Sequence, residues 1–339
     1  MVDILIQLVL FTTKSIILVI LGLLLLVGIV AILTRGKEKV HGKIRIKNLN
    51  KQFDETKTLL LEEILSKDHF KQFLKEQKTL LKNKMKQNKL NTDKRIFVLT
   101  FLGDIKASAV AALREEVTAI LSIATPHDEV VVRVESAGGM VHAYGLAAAQ
   151  LQRIRQQYIP LTVIVDKIAA SGGYLMACVA NQILAAPFAV IGSIGVVVQL
   201  PNFHRLLKEK RIDFEQLTAG NYKRTLSLFG ENTERGREKM REEIEEIHQS
   251  FKNLIQEYRQ QIDIQKVATG EYWLGSQALD LKLVDSLITS DDYLFSQATQ
   301  SQIYEVHFQI KKSLLERLST SAANAFVYLT DSSWFSRSS

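Results

Sequence analysis

Cysteine is almost missing from this chain: Cys178 is the only one in 339 residues. A single thiol excludes a disulfide framework and any cysteine-built zinc site, and no metal or cofactor is expected. Proline occurs only four times, and 47% of the residues are hydrophobic. That excludes a disordered or collagen-like chain and predicts a packed globular body. Charge is absent from Ser15 to Thr34, twenty residues reading SIILVILGLLLLVGIVAILT. About 20 apolar residues suffice to cross a bilayer core as a helix. A cleaved signal peptide would want a basic start and a small-x-small exit. Here Asp3 stands at the start and the exit reads VAILTRGK, so the segment is expected to be an uncleaved anchor.

What is present in excess is positive charge, +7 formally, much of it in the first hundred residues. Arg35, Lys37, Lys39, Lys43, Arg45 and Lys47 follow the anchor and Lys14 alone precedes it. The positive-inside tendency then places the carboxyl-terminal body in the cytoplasm. Between Lys67 and Lys94 there are nine lysines, with Phe70, Phe73, Leu74, Leu80, Leu81 and Met85 at near-helical spacing. This reads as a solvated helical stalk, with contact to anionic membrane lipid as the alternative. The segment lacks the interleaved aromatics and glycines of RNA-binding modules, so no nucleic-acid partner is expected.

From Arg95 the texture changes. RIFVLTFLG, EVVVRVES and IPLTVIVD are apolar strands separated by helical patterns at 107–123 and in MVHAYGLAAAQLQRIRQ. Near-continuous apolar strands alternating with helices predict an α/β domain with a parallel sheet covered on both faces. The uncharged run AAPFAVIGSIGVVVQLP, 185–201, is too short and too rich in glycine for a second span and predicts a buried strand and turn. A charged helix over 233–260 carries the apolar stripe Met240, Ile244, Ile247, Phe251, Leu254 and Tyr258, expected to face core or a neighbouring subunit. IYEVHFQI predicts one more strand near the end.

Chemistry concentrates at two glycine-marked strand ends. In DKIAASGGYLMACVA a strand runs into Ser171 and then a helix, the pattern of a nucleophile elbow. An ordinary serine N-cap explains the same residues equally well. In ESAGGMVHAYG, Gly138 and Gly139 allow close backbone approach at a second helix start. Two such turns on neighbouring parallel strands open on the same sheet edge, where ligands bind. The N–H of Gly172 and the glycine pair could hold an oxyanion. No histidine comes with a convincing orienting acid: His142 and His204 are the nearest candidates, and a Ser-His-Asp triad has nothing specific behind it. Lys223, in GNYKRTLSLFG with Tyr222, Leu226 and Phe229 nearby, is the other base available. A lysine base must be neutral, which an apolar site favours. A solvated loop lysine beside Arg224 is the competing reading.

ESAGGMVHAYGLAAAQLQRIR, DKIAASGGYLMACVA, APFAVIGSIGVVVQ, GNYKRTL and TGEYWLGSQALDLKLVD follow one another in an order that resembles the signal peptide peptidase A (protease IV) family of serine peptidases, most of all its SohB-type bacterial inner-membrane members. The resemblance implies Ser171 as nucleophile, Lys223 as general base, and Ser193 in GSIG as the residue orienting the lysine. It assigns Gly172 with Gly138 and Gly139 to the oxyanion region. It also implies a ClpP/crotonase-like α/β spiral and a ring-shaped homo-oligomer in which serine and lysine of one site come from adjacent protomers. Peptide or protein substrates would be apolar and membrane-associated, such as spent signal peptides or misfolded proteins. On this reading 1–35 is the transmembrane anchor, 36–95 the basic linker, 96–300 the serine peptidase domain and 301–339 a carboxyl-terminal extension. The family commonly has proline before the glycine pair, where this chain has Ala137. Two other classes share parts of the pattern. A crotonase-like acyl-CoA enzyme would need the fold and the oxyanion glycines without a Ser–Lys pair, and a non-catalytic membrane scaffold of the same fold would keep the anchor, stalk and interface and tolerate loss of the dyad.

Overall fold

The computed structural model describes residues 10–15, 18, 19, 22, 42–87 and 94–310, without the side chains of 80–87. The anchor expected at Ser15–Thr34 thus lies almost wholly outside the described residues. Among those described, no helix is long and apolar enough to cross a membrane.

Ten strands are present among the described residues: β1 Gly42–Asn48, β2 Arg95–Gly103, β3 Glu129–Ser136, β4 Leu161–Val165, β5 Ile168–Ala170, β6 Gln182–Ala185, β7 Val190–Gly192, β8 Tyr272–Leu274, β9 Ser286–Leu287 and β10 Gln302–Ile310. Seven follow the order β1-β10-β2-β3-β4-β6-β9, and β5, β7 and β8 branch from β3. The pairings from β10 across to β9 are parallel, whereas β7 and β8 run antiparallel. This is a mixed α/β fold with a parallel-rich sheet.

The apolar strands behave as their composition demands. Successive side chains of a strand point to opposite faces. Phe97, Leu99, Phe101, Val130, Val132 and Val163 therefore enter one core, and Ile96, Val98, Val131 and Ile164 the other. The helices include α1 Leu49–Ile64, α2 Lys67–Gln87, α3 Val110–Leu121, α4 Val141–Gln156, α5 Gly172–Ala177, α6 Glu234–Tyr258, α7 Gly275–Asp280 and α8 Ser290–Gln297. α3 to α7 add side chains to the first core and α1 and α8 to the second, whereas α2 buries none of its described side chains. Thr233 caps α6 by accepting the Gly236 N–H, and Thr289 caps α8 by accepting that of Asp292.

Three expectations need adjusting. The boundaries at 95 and 300 cut through the sheet, since β1 and β10 both belong to it. Asn50, just after β1, donates to the carbonyls of Ala298 and Ser301 at 2.8 and 2.9 Å and accepts the Ile303 N–H at 2.7 Å. The run 185–201 is buried only in part: Ala185, Ala189, Ile191 and Ile194 are in the core, whereas Phe188, Val197 and Val198 are exposed, and β7 ends at Gly192. Of the α6 stripe only Phe251 is buried, joined by Ile255 beside it, while Met240, Ile244, Ile247, Leu254 and Tyr258 are half-buried.

Candidate active site

β5 is three residues long and ends at Ala170, level with Gly192 of β7. Ser171 comes next, at φ 51° and ψ −119°, and α5 starts at Gly172. A non-glycine residue held in that region costs on the order of 1–3 kcal/mol and persists only where its surroundings dictate it. Here they do. The Ser171 N–H donates to the Gly192 carbonyl at 2.8 Å, and the Ser171 carbonyl accepts from Leu175 at 2.9 Å. The Ser171 side chain makes no capping hydrogen bond. The ordinary N-cap, which would occupy the hydroxyl with a backbone N–H, is therefore not what this serine forms.

The glycine pair meets this turn directly. Ser136, the last residue of β3, lies level with Ala169. Beyond it Gly138 adopts φ 90°, and a β-carbon built there would stand 2.7 Å from both the Gly172 nitrogen and the Ser171 β-carbon. A side chain at Gly139 would overlap the Ile105 carbonyl, and one at Gly172 the Tyr144 ring. Close backbone approach, and not turn-making alone, requires these glycines.

Their N–H groups differ. That of Gly138 donates to Ser136 Oγ at 3.0 Å. The N–H of Gly139 has no partner among the described residues, and that of Gly172, first in its helix, has none within the helix. The free donors beside Ser171 are thus on Gly139 and Gly172, while Gly138 shapes the turn.

Ser193 follows Gly192 at φ 50°, one position beyond the last β5–β7 pair, on the same rim as Ser171. Its N–H donates to the Glu271 carbonyl at 2.7 Å, and Gly192 at φ 104° leaves room for the Trp273 ring. Glu271 and Trp273 of TGEYWLG thus prop the Ser193 turn, a role the sequence did not disclose.

Lys223 stands elsewhere. Its exposed loop runs from Val197 to Gly230 and shares an open hollow of about 540 Å³ with Gln216, Leu217, Thr218, Ala219 and Arg224. No hydrogen bond or ion pair among the described residues joins Lys223 to Ser171 or Ser193. The loop is nonetheless organised. Phe229 packs against Phe203 and Phe214, and Asn202 donates to the Ser227 and Gly230 carbonyls at 2.9 and 3.0 Å. Tyr222, next to the lysine, lies under Arg235 and Lys239 of α6. Neither His142 nor His204 hydrogen-bonds Ser171.

A serine elbow flanked by two glycine-marked turns thus stands on one rim of the sheet. Residues 3–151 match the model of the peptidase family S49 N-terminal region, and residues 153–303 match that of peptidase family S49. The chain belongs to peptidase family S49 and is a serine-type peptidase. It is 44% identical over 319 residues to the probable protease SohB of Haemophilus influenzae, covering 91% of this chain and 90% of that one. It is 42% identical over 316 residues to the putative protease SohB of Buchnera aphidicola subsp. Baizongia pistaciae, covering 90% of each. With the probable protease SohB of Buchnera aphidicola subsp. Acyrthosiphon pisum the identity is 53% over 234 residues, 69% of this chain and 70% of that one.

Proposed function

We propose that Ser171 is the nucleophile of a membrane-anchored endopeptidase, with Lys223 as its general base and Ser193 orienting the lysine. The observation that carries this reading is the strained Ser171 elbow, its hydroxyl uncommitted to capping and flanked by the free N–H groups of Gly139 and Gly172. Lys223 takes the hydroxyl proton, Ser171 Oγ bonds to the scissile carbonyl carbon, and the two N–H groups hold the oxygen that becomes negative. As the tetrahedral species collapses, the peptide C–N bond breaks and the lysine returns its proton to the departing amine. A water deprotonated by the same lysine then attacks the acyl-enzyme, releasing the acid and regenerating Ser171.

The exposed position of Lys223 fits a dyad shared between protomers of a ring. A neighbouring copy that covered the 197–230 loop would desolvate the lysine, as a neutral base requires. The uncharged run Ser15–Thr34 supports a single-pass anchor in the bacterial inner membrane, and the basic residues after it support a cytoplasmic body. Apolar, membrane-associated peptides are the substrate class in keeping with that location.

The test is reaction of the detergent-solubilised full chain with a fluorophosphonate. Labelling that disappears in both Ser171→Ala and Lys223→Ala, with assembly intact, is the expected result. An assembled chain that is neither labelled nor able to cleave apolar peptides would overturn the assignment.

A further inference from the structure

Ser136 and Tyr144 lie behind the glycine turn, and the reaction sequence above uses neither. Both are buried, with Tyr144 fully excluded from solvent. Ser136 Oγ and Tyr144 Oη stand 2.5 Å apart, and Tyr144 Oη is 2.8 Å from the Asp104 carbonyl. A carbonyl only accepts, so the single phenol proton goes to Asp104. The serine proton must then go to the phenol oxygen, which leaves a Ser136 lone pair for the Gly138 N–H at 3.0 Å. The donor order is fixed throughout: Gly138 N–H to Ser136, Ser136 O–H to Tyr144, Tyr144 O–H to the backbone after β2.

Sterics reinforce this chain of bonds. Gly103 has no side chain because one would overlap both hydroxyl oxygens. The Tyr144 ring also rests against Gly172, and a β-carbon at Gly173 would meet the Ser136 carbonyl. Ser136 and Tyr144 thus touch both turns that bear the free N–H groups, one through hydrogen bonds and the other through packing.

Resting on the assignment of Ser171 as nucleophile, we infer that Ser136 and Tyr144 are positioning residues for the oxyanion site. They fix the Gly138 N–H inward and thereby orient the Gly139 N–H toward the reacting carbonyl, opposite that of Gly172. Neither touches substrate. Small displacements of a group that stabilises developing charge cost roughly ten- to a hundredfold in rate.

Two variants isolate the hydroxyls: Tyr144→Phe keeps the ring against Gly172, and Ser136→Ala keeps the strand end. Each is made in the full chain and assayed for fluorophosphonate labelling rate and for cleavage of a fluorogenic apolar peptide. The expected result is a ten- to hundredfold fall in labelling rate and kcat with KM unchanged. The second arm is a rescue. The Ala137 N–H takes no part in the turn's hydrogen bonds, and Ser136 before it is extended, so a proline at 137 would remove no hydrogen bond. Ala137→Pro should recover at least part of the rate lost in Tyr144→Phe by stiffening the same turn. Wild-type labelling with unchanged rates in both variants would overturn the positioning role and leave the nucleophile standing. A raised KM at unchanged kcat, or losses that only track the unfolded fraction, would overturn it too. Failure of the wild type itself to label Ser171 would instead remove the nucleophile assignment beneath it.

Discussion

The serine rim and the lysine loop are built to opposite standards. Around Ser171 three strands converge, the α5 residues behind it are buried, and a methyl group at Gly139 or Gly172 would strike backbone or a ring. Around Lys223 the chain is held by a few aromatic contacts and leaves Leu217 95% and Val197 77% exposed. Soluble surfaces tolerate single exposed apolar residues, but a run of them beside a functional group marks a contact surface. The comparison separates a tightly constrained Ser171 turn from an exposed Lys223 segment, which is the contrast expected if, as proposed above, a neighbouring protomer covers the lysine.

Mixing protomers gives the largest expected effect on that contrast. Ser171→Ala and Lys223→Ala should each lose at least about a thousandfold in peptidase activity. Co-assembly of the two should restore a substantial fraction if the lysine is donated across a subunit boundary. Activity that never returns in mixed rings would place both groups in one chain. Gly172→Ala comes next. Its β-carbon meets the Tyr144 ring, so a destabilisation of about 1–3 kcal/mol is expected, read as a lowered urea midpoint, with labelling at Ser171 sharply slowed.

A third prediction concerns the far end of the rigid half. Burial raises the Asp128 carboxyl, but Arg95 at 2.6 Å and the Thr125 N–H and hydroxyl outweigh it and bring it to about 2. A depressed carboxylate stabilises above its unfolded value, about 3.9, and loses that contribution as pH falls toward 2. The stability gap between wild type and Asp128→Asn should therefore be constant above about pH 5 and shrink steadily below 4. A gap that stayed constant down to pH 2 would show that the ion pair contributes nothing. The smallest effect belongs to the loop: Leu217→Ser should change protomer stability by less than about 0.5 kcal/mol while weakening assembly, seen by sedimentation at low concentration. A loss of folding there would mean that the loop is part of the core after all.

Much of this was legible in the residues. Apolar strands announced the parallel sheet, a local demand on backbone geometry, whereas the small residues around Ser171 fitted an elbow and an ordinary N-cap equally well until the backbone of Ser171 was seen. The long-range partners were not legible. Ser136 closes an apolar strand and Tyr144 sits eight residues on in a helix, and only the fold carries the phenol to the Asp104 carbonyl forty residues upstream. A serine ending an otherwise apolar strand was the one available signal. The equal treatment of Gly138 and Gly139 failed for the same reason, since which N–H is free depends on Ser136. β10 was visible as a strand, but β1 was read as part of the basic linker, and nothing in either pattern said that both join one sheet edge.

That edge bears on how the protein is made. Asn50 reaches Ala298, Ser301 and Ile303, about 250 residues later in the chain, and β10 lies between β1 and β2. During synthesis β2 must therefore wait with one side unpaired until residues 302–305 have left the ribosome. Pairings of such long sequence separation form slowly and leave sticky strand edges bare meanwhile. The sheet thus closes only once β10 has been made, and a chain cut short before β10 would be a client for quality control, not a protease.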